Sequence, residues 1–451
     1  MKQFSDPYGV VYTASTEDSV IQFNALTRSY MGFRPETGDL LKELLTTDPD
    51  MPMAVCTKGY IAKLIGCASH SKRAAGISGQ LDKLLESVTV TDREKGHAAA
   101  LSAWCNGNMD LATDIWEKIL LEYPLDGMAL RLAHFMHFYS GDGRKIRDSM
   151  ARILPRWPES HPEYGFLLGM YGFGLEEAGE FSEAEKYARR AVEINPSDSW
   201  SVHAVAHVME MTERHEEGIE WITGLKDRWS TVNNFRFHLY WHQCLFHLER
   251  GELGEALKIY DEQVVSDIES GFYLDICNAS SLLWRLEMFN ADIGDRWLRL
   301  ADVSKDHLQD RDLIFVSLHY LMPLIATGDK NGTKAMMENL LGWSRQDDSQ
   351  GRVTAAVGLT LAQGLQQARN GNYGEAFEKL VSAKYSMDPV GGSMAQRDLF
   401  SMISIDMASK SGNNLEARGL LTERVASRPD SSWARRGYAH VLSRLGSLEV
   451  A

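Results

Sequence analysis

Two histidines one helical turn apart, followed by a glutamate, stand in the middle of this chain. His203, His207 and Glu210 occupy positions i, i+4 and i+7, a spacing that places all three side chains on one face of a helix. A second pair, His238 and His242, follows about one repeat length later. Imidazoles titrate near neutral pH and serve as general acids, general bases or metal ligands. These residues are therefore the best candidates in the sequence for chemistry.

The histidines lie within a repeated pattern. Nine stretches of the chain fit a template of about 34 residues, the period of a helix–turn–helix repeat. The clearest copy, Gly165–Trp200, has Gly172 where two helices cross, Gly179 in the turn and Pro196 after the second helix. A turn glycine adopts the left-handed cap conformation without penalty, and proline ends a helix. The series predicts an all-α fold, a tetratricopeptide-type α-solenoid in which helical hairpins form a right-handed, nearly closed superhelix.

The pattern divides the chain into three regions. Residues 1–91 follow it poorly and are predicted to form an N-terminal helical cap, and residues 92–386 are predicted to form tetratricopeptide-like repeats. Residues 387–451 contain a Gly-rich segment, MDPVGGSMAQRD (Met387–Asp398, the motif loop), and C-terminal repeats. Because each repeat packs mainly on its neighbours, we expect one elongated unit and not several globular domains.

In such arrays the first helix of each hairpin lines the concave groove. The unit that begins at Ser199 therefore directs His203, His207 and Glu210 into the groove, and it lacks the usual turn glycine. A concave wall with a few convergent polar groups and aromatic sides is typical of a ligand site. The same register in the next unit completes the predicted catalytic set, which is His203, His207, Glu210, His238 and His242.

The motif loop is the second candidate. The pair Gly391–Gly392 permits tight backbone turns near a ligand, and Arg397 is suited to clamping a carboxylate. The alternative is a structural loop whose Ser393 caps the following helix, and both interpretations stay open. Together with groove positions elsewhere, the predicted ligand-binding set is Arg131, Trp241, Asp275, Gln396, Arg397 and Asp398.

Composition narrows the partners and the compartment. The net charge of −15 disfavours nucleic acid and an anionic membrane surface as main partners. The polar start, MKQFSDPYGV, predicts no signal peptide, and no apolar run approaches membrane-spanning length. Five scattered cysteines without a CxxC spacing indicate a reducing cytoplasm. We therefore expect a cytoplasmic protein that contacts neither nucleic acid nor membrane, and its oligomeric state stays open.

Four segments resemble the tetratricopeptide repeat protein 38 family, which has bacterial members. They are HAVAHVMEM (His203–Met211), HLYWHQCLFHLERGELGEALKIYD (His238–Asp261), YLDICNASSLLWRLE (Tyr273–Glu287) and GGSMAQRD (Gly391–Asp398). The similarity extends over most of the chain and implies a helical-repeat fold more than a particular activity. It also implies that one signature contains His203, His207, Glu210, His238, Trp241, His242, Asp275, Gln396, Arg397 and Asp398.

Two classes of function remain open. The first is a repeat protein that binds a peptide, a protein or a small polar molecule in a groove lined by His, Glu, Arg and Trp. The alternative is an enzyme whose groove histidines act on a small polar substrate, as an acid–base or metal-assisted hydrolase or lyase. The sequence contains no Walker A, GxGxxG, HExxH or CxxC motif. Because HxxxH spacing is common by chance in helices, we expect no cofactor and no metal site, and a metal ion is the lesser alternative.

Access to the groove indicates the size of the ligand or substrate. A ring-like array with the motif loop folded over the groove favours a small ligand or substrate. An open groove favours an extended peptide.

Overall fold

The computed structural model describes residues 1–448 and consists almost entirely of helices. A short antiparallel hairpin, β1 (Lys2–Ser5) and β2 (Val11–Ala14), precedes them. No helix in this described part is both long and apolar enough to cross a membrane. The α-helices are α1 (Glu17–Met31), α2 (Thr37–Thr47), α3 (Pro52–Leu64), α4 (Ala68–Ser87), α5 (Asp92–Cys105), α6 (Met109–Glu122), α7 (Gly127–Tyr139), α8 (Gly143–Ile153), α9 (Tyr164–Glu177), α10 (Phe181–Ile194), α11 (Ser199–Met211), α12 (His215–Gly224), α13 (Lys226–Trp229), α14 (Phe235–Glu249), α15 (Leu253–Ile259), α16 (Tyr273–Met288), α17 (Arg296–Ser304), α18 (Ile314–Ala326), α19 (Lys330–Trp343), α20 (Ser349–Val353), α21 (Leu359–Arg369), α22 (Tyr373–Ala383), α23 (Met394–Lys410), α24 (Asn414–Ser427) and α25 (Ser432–Leu448).

From α5 onward the helices pair into hairpins, as the repeat offsets predict. Within residues 92–427 the pairs are α5–α6, α7–α8, α9–α10, α11–α12, α14–α15, α16–α17, α18–α19, α21–α22 and α23–α24. Small residues sit at the crossings: a Cβ added to Gly172 would lie 3.0 Å from the Cβ of Ala188. The fold is an all-α, tetratricopeptide-type solenoid.

The hairpin turns require a left-handed residue, which is usually but not always glycine. Gly179 and Gly251 adopt φ of +83° and +76°. In the turn between α11 and α12 the same role falls to Glu213, with φ +59°, although this conformation is unfavourable for a residue with a Cβ. In α12, Gly218 replaces the usual alanine because a Cβ there would lie 2.5 Å from the ring of Phe246.

The superhelix closes on itself. The ammonium of Lys63, in α3, lies 2.5 Å from Asp312 Oδ1, just before α18, and both side chains are about nine-tenths buried. The backbone N–H of Ser349, at the start of α20, donates to the carbonyl of Gly107 at 2.9 Å. Because these contacts join the first hairpins to the later ones, the concave groove becomes the interior of a ring.

The C-terminal region folds back across this ring. The backbone N–H of Met394 donates to both carboxylate oxygens of Glu177, at 3.0 and 3.2 Å. Gly391, with φ +90°, passes so close to the carbonyl of Tyr139 that any side chain there would collide with it. The boundaries at 91/92 and 386/387 stay predictions, and residues 449–451 of the third predicted region lie outside the described part.

The N-terminal cap contains the small hairpin that the sequence analysis does not predict. Thr13, in β2, uses its backbone N–H and its hydroxyl to bond the two carboxylate oxygens of Glu94, at 2.8 and 2.7 Å. Arg93 donates to the carbonyl of Val11 at 2.9 Å. Strands of four residues are marginal alone, and these bonds to α5 stabilise them. The four helices α1–α4 follow this hairpin.

The turn glycines give a direct test of the repeat assignment. No atom lies within 4 Å of a Cβ added at Gly179 or Gly251, so only the positive φ opposes a side chain. We expect Gly179→Val and Gly251→Val each to lower the free energy of unfolding by at least about 1 kcal/mol in urea titrations.

The matched control is Gly254→Ala in α15. It too has no atom within 4 Å of an added Cβ, but its φ is not positive. This change should leave stability unaltered or raise it by about 0.5–1 kcal/mol. Unchanged denaturation midpoints in both valine variants contradict the turn assignment.

Candidate ligand cavity and histidine cluster

A cavity of about 340 Å³ lies at the centre of the ring. The inner helices α7, α11, α14, α16 and α18 contribute to its wall, together with the turn between α1 and α2 and the motif loop. Polar groups at its surface include His203, His207, His238 and Gln396. Aromatic residues that form much of the wall include Phe33, Phe135, Trp200, Phe235, Tyr273 and Phe315.

The α1–α2 turn reaches into the centre through Phe33. This residue adopts φ +54°, which non-glycine residues rarely do and which is often found at functional sites. Its ring stacks on Phe235 at a centroid distance of 4.5 Å and lies 5.9 Å from the ring of Trp200. Its carbonyl accepts a bond from the Asn233 N–H at 2.8 Å. No periodic signal in the sequence points to this residue, because the turn belongs to the irregular cap.

The neighbouring inner helices α11 and α14 bring four histidines together. We call His203, His207, His238 and His242 the histidine cluster. Ring centroids lie 4.3 Å apart for His203 and His207 and 5.0 Å apart for His203 and His242. One nitrogen from each ring lies within 4.8 Å of the others. All four side chains are buried, with at most 4% of their surface exposed.

Two members of the cluster are oriented by hydrogen bonds through Nδ1. His238 Nδ1 donates to Asn278 Oδ1 at 2.8 Å, and His242 Nδ1 donates to Glu210 Oε2 at 2.8 Å. Each bond fixes the ring and leaves Nε2 free to face the cluster. Glu210 is thus a partner of His242, not a residue of the cavity wall. Asn278 has no role predicted from the sequence, although it is a polar residue on the neighbouring inner helix, α16.

The remaining ring nitrogens lack partners among residues 1–448. Neither nitrogen of His203, neither nitrogen of His207 and not Nε2 of His242 makes a hydrogen bond. His207 Nδ1 lies 3.3 Å from Glu176 Oε2, outside hydrogen-bonding geometry, and both oxygens of Glu176 are also unpartnered. A buried polar group without a partner costs about 1–3 kcal/mol, and such groups are rare. The cluster is therefore incomplete as a purely structural network.

Burial decides the charge of these groups. Burial lowers the pKa of all four histidines, so the rings are neutral at pH 7 and each can donate and accept one hydrogen bond. Burial also raises the pKa of Glu176 and Glu177 to about 8. Glu177 Oε1 lies 4.0 Å from His207 Nδ1, so a buried acidic pair adjoins the cluster on the side of α9.

Of the motif loop, only part reaches the cavity. Gln396 lines it, and the same side chain accepts a bond from the Ser393 N–H at 2.9 Å while Ser393 caps α23. The capping interpretation and a position at the cavity therefore hold together. Arg397 does not line the cavity: its guanidinium donates to the Gly392 carbonyl and lies 3.9 Å from Glu177 Oε2.

Two other predicted ligand-binding residues lie outside the cavity wall. Trp241 is buried behind His238, with nearly parallel rings 5.0 Å apart, and donates from Nε1 to Ser281 Oγ at 2.9 Å. Asp398 pairs with the guanidinium of Arg424 at 2.5 and 3.0 Å. Trp241 has a groove offset, but its ring turns toward α16, and its role in ligand binding stays a prediction.

Arg131 is also hidden from the cavity, and it supports the wall from behind. Its guanidinium carbon lies 4.6–4.8 Å from the ring centroids of Phe33, Phe135 and Trp200. Burial lowers its pKa to about 10, so it stays charged at pH 7 and attracts the aromatic faces. The functional roles assigned from the sequence to all these residues stay predictions.

Comparisons with known proteins concern the fold alone. No protein-family model matches the chain. Similar solved structures include a chain of the APC/C hetero-tetramer Cut9–Hcn1, with 13% identity, a TM-score of 0.45 and coverage of 94% of this chain and 74% of that chain. Human IFIT1 with m7Gppp-AAAA has 14% identity, a TM-score of 0.39 and coverage of 84% and 87%. Human IFIT1 with PPP-AAAA has 14% identity, a TM-score of 0.41 and coverage of 96% of both chains.

Asp275, whose predicted role in ligand binding stays a prediction, is a buried acid whose raised pKa can be tested through protein stability. It does not line the cavity, and its Oδ2 accepts a bond from Asn234 Nδ2 at 2.6 Å. Burial raises its pKa from 3.8 to about 8. A raised folded-state pKa contributes stability that is present below the unfolded pKa and is lost as the pH rises through about 8. We expect Asp275→Asn, which cannot ionise, to gain stability relative to wild type by about 1 kcal/mol or more between pH 5 and pH 8.

Urea unfolding at several pH values measures this difference. Asp267→Asn is the control, because Asp267 accepts a bond from the same Asn234 side chain at 3.2 Å but is exposed. Its difference from wild type should vary with pH much less than that of Asp275→Asn, because it acts on Asp275 only through the charge of a neighbour. Equal variation for the two variants, or a constant difference for Asp275→Asn, contradicts the buried-acid interpretation.

Proposed function

We propose that this protein binds a small organic molecule in the central cavity, with an apolar body between the aromatic walls and a polar end at the histidine cluster. The observation that carries this proposal is the closed ring around a cavity of about 340 Å³ with His203, His207 and His238 at its surface. A volume of that order and mostly apolar walls with a few convergent polar groups are typical of small-molecule sites. An extended peptide needs an open trough, which ring closure through Lys63 and Asp312 removes.

The wall chemistry defines the ligand class. Phe33, Phe235 and Trp200 form a stacked aromatic face suited to a flat or aliphatic body. The neutral imidazoles present both donors and acceptors, so the polar end is a group such as a hydroxyl, carboxyl or amide. Pro35 and Gly38 line the cavity and are exposed, which places the entrance at the α1–α2 turn.

Family and compartment are part of the same proposal. We infer membership of the tetratricopeptide repeat protein 38 family from the shared signature segments. We infer a reducing, cytoplasmic location from Cys56, Cys67, Cys105, Cys244 and Cys277, all of which are free.

A fluorescent probe tests the binding proposal. 1-Anilinonaphthalene-8-sulfonate combines an aromatic body with one polar end, and we expect saturable binding at one molecule per chain. Leu274→Trp should weaken this binding by at least about tenfold, because Leu274 is a partly buried residue of the cavity wall and an indole there occupies space that the probe needs.

Leu298→Trp is the matched control, since Leu298 is 56% exposed on α17 and away from the cavity. It should bind the probe as wild type does. Circular dichroism melts verify that both variants are folded. Binding that does not saturate, or equal binding by both variants, argues against the cavity as the site.

Catalysis is a second candidate, favoured by one observation. Glu176 is fully buried, has both oxygens unpartnered and lies 3.3 Å from His207 Nδ1, an arrangement that suits acid–base work on a molecule at His207. A screen with chromogenic esters tests it. Turnover by wild type that Glu176→Gln abolishes, with probe binding retained, supports an enzyme. Absence of turnover in wild type rejects the catalytic candidate and leaves ligand binding as the proposed function.

A further inference from the structure

The histidine cluster has the composition and geometry of a metal centre. It consists of two HxxxH pairs, His203 with His207 on α11 and His238 with His242 on α14. Each pair projects from one face of an inner helix, and the two helices are neighbours. We propose that His203, His207, His238 and His242 together bind one divalent first-row transition-metal ion, such as Zn²⁺.

The spacing of the ring nitrogens fits this assignment. Four nitrogens, one from each ring, lie within 4.8 Å of one another. In a tetrahedral site with metal–nitrogen bonds of about 2.0–2.1 Å, the nitrogens lie about 3.4 Å apart. The observed limit of 4.8 Å exceeds that spacing by about 1.4 Å, so the four rings must draw closer together to hold an ion.

The partners of the cluster also match those of metal ligands. Metal-binding histidines usually donate their second ring N–H to a carboxylate or a carbonyl oxygen, which fixes the tautomer. His242 does so to Glu210 and His238 to the amide oxygen of Asn278, each through Nδ1 at 2.8 Å. In both rings Nε2 is therefore the atom that remains for a metal ion.

The unpartnered nitrogens give an independent reason for a bound ion. His203 and His207 are buried with both ring nitrogens unpartnered, and His242 is buried with Nε2 unpartnered. Within residues 1–448 no protein group makes a hydrogen bond to these nitrogens. An ion at the centre of the cluster satisfies one nitrogen of each ring at once.

The donor set selects the class of metal. Neutral imidazole suits zinc, copper, iron and nickel, whereas magnesium and calcium require oxygen ligands. Glu210 lies behind His242, and Glu176 and Glu177 lie 3.3 and 4.0 Å from His207 Nδ1. A dication held by the cluster favours the ionised forms of these neighbouring carboxyl groups, which offset its charge.

The metal site adjoins the cavity but does not depend on a bound organic molecule. His203, His207 and His238 contribute to the cavity surface, so an ion held by the cluster lies next to the polar end of any molecule there. The ion is tested alone, without probe or substrate, and the two proposals therefore fail separately.

Metal retention by the intact chain is the first measurement. The protein is stripped with a chelator, incubated with Zn²⁺ or Co²⁺, passed through gel filtration and analysed by elemental mass spectrometry. We expect about one equivalent of either ion per chain, and for Co²⁺ the visible absorption bands of a four-coordinate nitrogen site. Retention below about 0.1 equivalent by stripped and reloaded wild type overturns the proposal.

Variants locate the ion. His203→Ala/His207→Ala should retain less than about a tenth of the wild-type metal, and Glu210→Gln should weaken binding about 10- to 100-fold while keeping the stoichiometry. His134→Ala is the matched control, because His134 is also fully buried with both ring nitrogens unpartnered but lies outside the cluster. It should retain one equivalent, and thermal melts verify that all variants are folded.

Three results decide between the metal site and the cavity proposal. Equal metal retention by the double variant and by wild type places the ion elsewhere and overturns this inference. Probe binding by metal-free wild type, together with failure to retain metal, supports the cavity proposal and rejects the metal site. Metal retention without probe binding does the reverse.

Discussion

The superhelix closes where α3 meets the segment before α18, and the enclosed cavity exists because of that closure. An open solenoid presents its inner helices to water. Here the buried Lys63–Asp312 pair and the backbone bond from Ser349 to Gly107 join distant hairpins, and the motif loop crosses the remaining space. The inner faces of α11 and α14 are thereby shielded from bulk water. The same polar side chains that would be solvated in an open groove become buried in a ring.

Burial inside the ring determines the charge and the hydrogen bonding of the histidine cluster. Burial keeps the imidazoles neutral and leaves several nitrogens without partners, a state that costs stability. The surrounding repeats tolerate this because each hairpin is stabilised mainly by contacts with its neighbours. Backbone strain at Phe33, which has a positive φ, occurs in the same central region. Concentrated local cost of this kind is usual at sites that bind a ligand.

Sequence patterns predict features that depend on short-range geometry and miss those that depend on contacts across the ring. The hairpins and the turn glycines follow from offsets within one repeat, and the pairing of His203 with His207 follows from helical periodicity. Trp241 shares the groove offset of His238, yet its ring packs behind His238 because Ser281 offers its indole N–H a bond. The β1–β2 hairpin escapes prediction because its strands are held by Glu94, some 81 residues away.

The sequence by itself determined an all-α repeat fold and a set of histidines on two inner helices, because small residues, turn glycines and helical spacing act within about 34 residues. Only the tertiary structure decided that four of these histidines converge, that Asn278 and Glu210 orient two of them, and that Asp275 and Asp398 bond to Asn234 and Arg424. The reason is physical. Whether a polar side chain meets water, a ligand or a neighbour depends on ring closure, and closure arises from contacts between residues hundreds of positions apart.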